Sequence, residues 1–159
     1  MANRAHFYFR DETAPEPNRP RGLGVLALIE RDGSLLLERR TDAPLWSLIA
    51  GAVEDTESLT DALRREVHEE TGLVVSRYAL FGTFSDPSRI ASYPDGNVYR
   101  VASFAYRVEV ESFDGLRPSS ESEELRFFAR HEIAGLDLPA TQWPVVERFL
   151  AGDPPPHLD

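Results

Sequence analysis

Three glutamates, Glu66, Glu69 and Glu70, stand at positions i, i+3 and i+4, a spacing that makes them neighbours on a helix. Carboxylates that close repel one another and lose their charge in a partly dry place unless a cation compensates them. A hard divalent ion is the simplest compensation, and Mg²⁺ commonly binds one or two carboxylates together with waters and substrate phosphates. The alternative is a solvated acidic patch supported by Arg64 or Arg65.

The segment from Ser58 to Thr71 is predicted to form the helix that carries these acids, and Gly72 supplies a left-handed stop. Its apolar residues recur at three- and four-residue spacing: Leu59, Ala62, Leu63 and Val67. On a wheel of about 100° per residue, Glu66 and Glu70 fall within the apolar sector and Glu69 falls at its edge. The pattern therefore turns two acids toward the core, which favours the metal over the solvated patch.

The stretch from Gly51 to Leu73 resembles the Nudix box at every defined position: Gly51, five residues, Glu57, seven residues, then REVHEETGL. Looser similarity to bacterial Nudix hydrolases runs from about Gly22 to Phe128. The chain departs from many relatives in having Ile49-Ala50 where they have Pro-Gly, a change expected to stiffen the loop and bring bulk near the metal.

The resemblance implies an α/β fold of the Nudix type, an α/β/α sandwich with a central mixed sheet. It also implies hydrolysis of a phosphoanhydride bond in a nucleoside diphosphate linked to another moiety, with Mg²⁺ or alternatively Mn²⁺ as cofactor. The metal ligands that it implies are Glu66, Glu69, Glu70 and the backbone carbonyl of Gly51. Glu66, Glu69 and Glu70 are thus also the catalytic candidates, with Glu69 either a third ligand or the group that orients water. Glu57 and Arg65 are expected to form a supporting pair.

Three further residues are candidates outside the box. Similar enzymes often place an acid just before a strand like the one from Leu125 to Phe128, and Glu121 is our catalytic candidate over a solvated acidic loop. Arg40 ends a strand and could bind phosphate through its planar guanidinium, with an ion pair to Asp42 as the alternative. Tyr93 could stack on a base, although the Pro-Asp-Gly that follows it also favours a plain turn.

Composition bounds the partners. A net charge of −10 repels nucleic-acid backbones and anionic membranes, so we expect neither partner and instead a small nucleoside diphosphate derivative. The absence of cysteine excludes disulfides, zinc-thiolate sites and a thiol nucleophile. Within the family that the chain resembles, isopentenyl-diphosphate isomerases use a nucleophilic cysteine, so the resemblance does not extend to them. We see no membrane-spanning stretch or signal peptide and expect a cytoplasmic protein.

The 159 residues predict one domain, residues 22–151, with a lead-in over residues 1–21 and a frayed tail over residues 152–159. Strands are predicted at residues 6–9, 22–30, 34–39, 45–48, 74–84, 98–110 and 125–128, with a hairpin turn at Asp32-Gly33. Residues 131–136 and 141–150 are predicted to be helical, and residues 85–97 and 111–121 to be loops.

A second function remains open, a Nudix-like module that binds a nucleotide metabolite without catalysis. Such a module would normally have lost acids of the box, and here none is lost; it would also usually carry a DNA-binding domain, for which we expect no room. The sequence does not choose between ADP-ribose, dinucleoside polyphosphates, CDP-alcohols, nucleotide sugars and nucleoside triphosphates. A homodimer is common among such relatives.

Overall fold

The computed structural model describes residues 4–159, so the first three residues of the predicted lead-in lie outside it. The strands are β1 (His6–Tyr8), β2 (Gly22–Arg31), β3 (Ser34–Arg40), β4 (Trp46–Ala52), β5 (Val75–Phe84), β6 (Ile90–Ser92), β7 (Val98–Val110), β8 (Ser122–Ala129) and β9 (His157–Leu158). The helices are α1 (Leu59–Thr71), α2 (Arg130–Ile133) and α3 (Trp143–Ala151), the last preceded by a 3₁₀ turn, Ala140–Gln142. Each of these helices is too short or too polar to cross a lipid bilayer.

The strands form one mixed sheet. Its main path runs β1-β6-β7-β2-β4-β3-β8, with β5 paired to β7 and β9 paired to β5. β2 runs parallel to β7, and β9 parallel to β5, whereas the other pairs are antiparallel. The predicted mixed sheet is therefore confirmed.

Helices cover both faces of this sheet. Because successive strand residues point to opposite faces, alternate residues of β2 and β3 enter two separate cores. One core packs beneath α1 and includes Val25, Ala27, Leu36, Ile49, Leu63 and Val67. The other packs beneath α2 and α3 and includes Leu26, Leu28, Leu35, Leu37, Val146 and Phe149. The layers are those of the expected α/β/α sandwich.

The helix α1 begins and ends as the sequence predicts. Ser58 accepts a hydrogen bond from the backbone of Asp61, whose side chain accepts one from the backbone of Ser58, and this capping box satisfies free N–H groups. Gly72 ends the helix with a φ of 75°, a left-handed conformation that suits glycine.

Two strands are longer than predicted. The strand β4 continues through Gly51 to Ala52, because Ile49 and Ala50 pair regularly with Ala27 and Leu26 of β2. The departure from Pro-Gly thus lies within a paired strand. Similarly, β8 starts at Ser122, where it pairs with the end of β3.

Two other predictions were wrong. The predicted loop over residues 85–97 contains β6, which lies between β1 and β7. The tail over residues 152–159 is not frayed, because β9 pairs with β5 and the carboxylate of Asp159 accepts hydrogen bonds from the backbones of Ser85 and Asp86. The strand β9 depends on a partner distant in sequence, which local patterns do not reveal, and β6 pairs with the distant β1 as well as with the neighbouring β7.

Candidate active site

An open cleft of about 1110 Å³ lies beside α1, over β2 and β4. Residues from the N-terminal strand, β3, the box and the loop before β8 all contribute to its wall. Its lining includes six of the predicted site residues: Arg40, Gly51, Glu66, Glu70, Tyr93 and Glu121. Glu69 is not among the lining residues.

The helix α1 presents Glu66 and Glu70 inward, as its periodicity predicts. The residue Glu70 is only 6% exposed, and its carboxylate accepts a hydrogen bond of 2.9 Å from the Ser119 hydroxyl. The side chain of Glu66 is 13% exposed and that of Glu69 is 55% exposed. Two carboxylates therefore face the cleft, and the third lies at the solvent edge.

Glu66 lies directly over Gly51. A Cβ atom on Gly51 would stand 1.9 Å from the carboxyl carbon of Glu66, so no other residue fits without moving that side chain. Gly51 follows Ile49 by two residues along β4 and therefore points to the same face, the one that α1 covers. The close approach of the Glu66 carboxyl group to the backbone explains why residue 51 is a glycine.

Arg65 holds the carboxylates of the box in place. Its guanidinium donates to Glu57 at 2.6 and 2.8 Å, to Glu66 at 2.8 Å, to Glu69 at 3.1 Å and to the carbonyl of Ala52 at 3.0 Å. Hydrogen bonding from Arg65 lowers the pKa of Glu57 to about 2. The predicted pair of Glu57 and Arg65 is present, and Arg65, which does not line the cleft, also holds Glu66.

Glu38 joins the site, although the sequence alone did not single it out. It follows Leu36 by two residues on β3, which turns it toward α1, and it is 5% exposed. Burial first, and then the charge of Glu70, raise the pKa of Glu38 to about 8. The Ser122 hydroxyl donates to it at 2.9 Å. The feature of the sequence that could have identified Glu38 is its position directly after three leucines of a buried strand.

Glu121 lies in the cleft, near Glu70. Burial raises its pKa, and the nearby charge of Glu70 adds to the effect. The two following acids, Glu123 and Glu124, instead form ion pairs with surface arginines. Of these three acids, Glu121 is therefore the one that lines the cleft.

Arg40 and Tyr93 lie together on another part of the wall. The guanidinium of Arg40 binds both carboxylate oxygens of Asp42, at 2.6 and 2.7 Å, which is the alternative that the sequence left open. The ring of Tyr93 contacts those of Phe7 and Tyr99 edge to face, with centroids 6.2 and 6.0 Å apart. Burial raises the pKa of Tyr93.

The donor set suits a hard divalent cation. Among residues 4–159, no three acidic or histidine side chains already form a coordination shell, since Glu66 pairs with Arg65 and Glu70 with Ser119. Burial nevertheless raises the pKa of Glu66 to about 7, against the opposing effect of Arg65. A bound cation would relieve this unfavourable concentration of negative charge, so the residues fit an oxygen-binding metal.

Comparison with known proteins gives one consistent family. The NUDIX domain model matches residues 18–149. The nucleoside triphosphatase NudI of Escherichia fergusonii is 40% identical over 79 residues, covering 45% of this chain and 55% of that protein. The ADP-ribose pyrophosphatase of Methanocaldococcus jannaschii is 32% identical over 117 residues, covering 72% and 65%. The chain thus spans between about half and two thirds of the length of these relatives.

A solved structure agrees with this result. The MutT protein of Methanosarcina mazei Go1 superimposes with a TM-score of 0.68 at 28% sequence identity, covering 84% of this chain and 96% of that one.

Proposed function

The chain belongs to the NUDIX family, and on this premise we propose that it hydrolyses a phosphoanhydride bond in a nucleoside diphosphate linked to another moiety. One observation carries the proposal: the carboxylates of Glu38, Glu66, Glu70 and Glu121 are among those that line a single cleft, which also holds arginine and aromatic side chains. Both relatives are named for cleaving nucleotides or a nucleotide derivative, which supports the class of substrate.

The groups that would hold Mg²⁺ or Mn²⁺ are Glu66, Glu70 and the backbone carbonyl of Gly51. Glu69 would join them if its exposed ion pair with Arg65 opened. A bound divalent cation neutralises charge on the non-bridging phosphate oxygens of such a substrate. The protein side chains supply orientation: Arg65 positions Glu66, and the Ser119 hydroxyl positions Glu70.

Glu121 is our candidate for the group that accepts a proton from the attacking water. Its raised pKa brings proton acceptance closer to neutral pH than for an ordinary glutamate, as general base catalysis requires. Glu38 is more deeply buried, and the hydroxyls of Ser122 and Ser119 connect it to Glu70, so we assign it the role of supporting Glu70.

The remainder of the wall would bind the nucleotide. Tyr93 offers an aromatic ring, and Arg40 offers positive charge in the same wall, where it opposes the burial that raises the pKa values of Glu38 and Glu121. A small anionic substrate can thus be held locally despite the net charge of −10, which disfavours nucleic acid.

The test is a panel of nucleoside diphosphate derivatives and nucleoside triphosphates assayed with Mg²⁺, with Mn²⁺ and with EDTA, with the released products identified. We expect hydrolysis of at least one panel member with metal and none with EDTA. Tight binding of a panel member by the metal-loaded protein without any hydrolysis would contradict the proposal and favour the non-catalytic binding module.

A further inference from the structure

The N-terminal strand β1 lies outside residues 18–149, the part that matches the NUDIX domain, yet it forms part of the cleft. It pairs antiparallel with β6, with Phe7 opposite Ala91. Next to it, the buried backbone of Ala5 donates a hydrogen bond of 2.9 Å to the carbonyl of Asp42. The segment is therefore fastened on both sides and presents its residues in a fixed orientation.

Of this strand, Phe7 alone lines the cleft. Because strand residues alternate, the neighbouring Tyr8 points the other way. The ring of Phe7 lies edge to face with Tyr93, and the guanidinium of Arg40 stands 5.0 Å from its centroid. Together with Tyr99, whose ring meets that of Tyr93 edge to face, these residues form an aromatic wall whose chemistry suits a flat heteroaromatic group, through stacking and apolar contact.

Arg40 connects this wall to the carboxylates. It packs on Phe7, and on β3 it follows Glu38 by two residues and pairs with Ser122, the residue after Glu121. A ligand with phosphates at the carboxylate end and a flat ring at the aromatic end would therefore lie across Arg40. Nucleoside diphosphate derivatives have this construction.

We propose that Phe7 is a specificity-determining residue that contacts the nucleobase of the substrate. This inference rests on the proposed function, since it assigns the base end of the same site. It extends the site beyond the part of the chain that the family match covers.

The test compares Phe7→Ala with Tyr8→Ala, a matched control on the same strand that does not line the cleft. Binding of α,β-methylene-ADP and of methylenediphosphonate, which carries no base, is measured by calorimetry. We expect Phe7→Ala to weaken binding of the nucleotide about tenfold, a typical effect of losing one base–aromatic contact, and to leave binding of the base-free ligand unchanged. Tyr8→Ala should change neither.

Two further variants separate contact from folding. Phe7→Leu keeps an apolar side chain without a ring and should weaken the nucleotide, whereas Phe7→Tyr keeps the ring and should retain binding. Equal loss for both ligands, or no loss in Phe7→Leu, would overturn the proposal. Because binding needs no turnover, a protein that binds with this pattern but hydrolyses nothing would refute the proposed function while leaving the role of Phe7 intact.

Discussion

The carboxyl group of Glu66 packs against the bare backbone of Gly51, so closely that a Cβ atom there would lie 2.2 and 2.3 Å from its two oxygens. This contact joins α1 to β4 and sets where the inward carboxylate stands. The glycine near the end of β4 and the glutamate within α1 thus form a single structural unit.

Gly51→Ala should displace Glu66 and lower kcat/KM by at least about tenfold, as expected when the support of a metal-binding group is lost. Gly135→Ala is the control away from the cleft, since its Cβ would come no closer than 3.9 Å to the carbonyl oxygen of Glu132. Steady-state kinetics of the two variants would measure the difference. Similar losses in both would argue against the contact.

Glu70→Gln should lower kcat by more than about a hundredfold, because it removes a charge that we assign to metal binding, and even indirect partners of metal sites cost about 10- to 100-fold. Glu69→Gln should have a much smaller effect, since that side chain is 55% exposed and outside the cleft. Circular dichroism would verify that both remain folded. Unchanged turnover in Glu70→Gln would count decisively against the assigned chemistry.

Arg65→Lys should reduce activity about 10- to 100-fold, because lysine cannot reproduce the planar set of hydrogen bonds that holds Glu57 and Glu66. Arg64→Lys, one position earlier, should have little effect, since among residues 4–159 Arg64 donates only to the carbonyl of Val75. The expected readout is kcat at saturating metal. If the two variants were equally active, Arg65 would have no positioning role.

Without metal, the protein should become less stable as the pH rises from about 5 to about 8. The pKa values of Glu38 and Glu66 are raised from 4.5 to about 8 and about 7, so the folded state binds more protons across this range than the unfolded state. The stabilisation that these two groups contribute is greatest below pH 4.5 and is lost as the pH rises past their raised pKa values. The loss is on the order of 1.4 kcal/mol for each unit by which the folded-state pKa exceeds the unfolded one.

Urea denaturation in EDTA would measure this trend, and Glu38→Gln should flatten it. Adding Mg²⁺ near the upper end of the range should restore stability, because a cation binds the deprotonated carboxylates of the folded state. The same slope in wild type and Glu38→Gln would show that Glu38 is not the source.

Asp159→Ala should destabilise the protein by about 1 kcal/mol while leaving kcat unchanged, because its carboxylate accepts backbone hydrogen bonds of 2.7 to 2.9 Å from Ser85 and Asp86. Asp153→Ala, in the exposed part of the same tail, is the control. Thermal denaturation would compare them, and an equal shift in both would mean that β9 is not held by this contact.

Much of the framework follows from local patterns. The 3.6-residue period of α1 is enough to turn Glu66 and Glu70 inward, because residues three or four positions apart lie on the same face of a helix. The turn at Asp32-Gly33 is equally local: both residues adopt positive φ, 51° and 80°, and join β2 to β3.

The tertiary structure decided which distant residues complete the site. Glu38 reaches Glu70 only because β3 and α1 pack on the same face of the sheet, and Phe7 reaches Tyr93 only because β1 pairs beside β6. By itself, the sequence determined the inward acids, the helix and most strands. Long-range pairing and packing determined their partners, since those contacts depend on the whole sheet and leave no periodic signal in the chain.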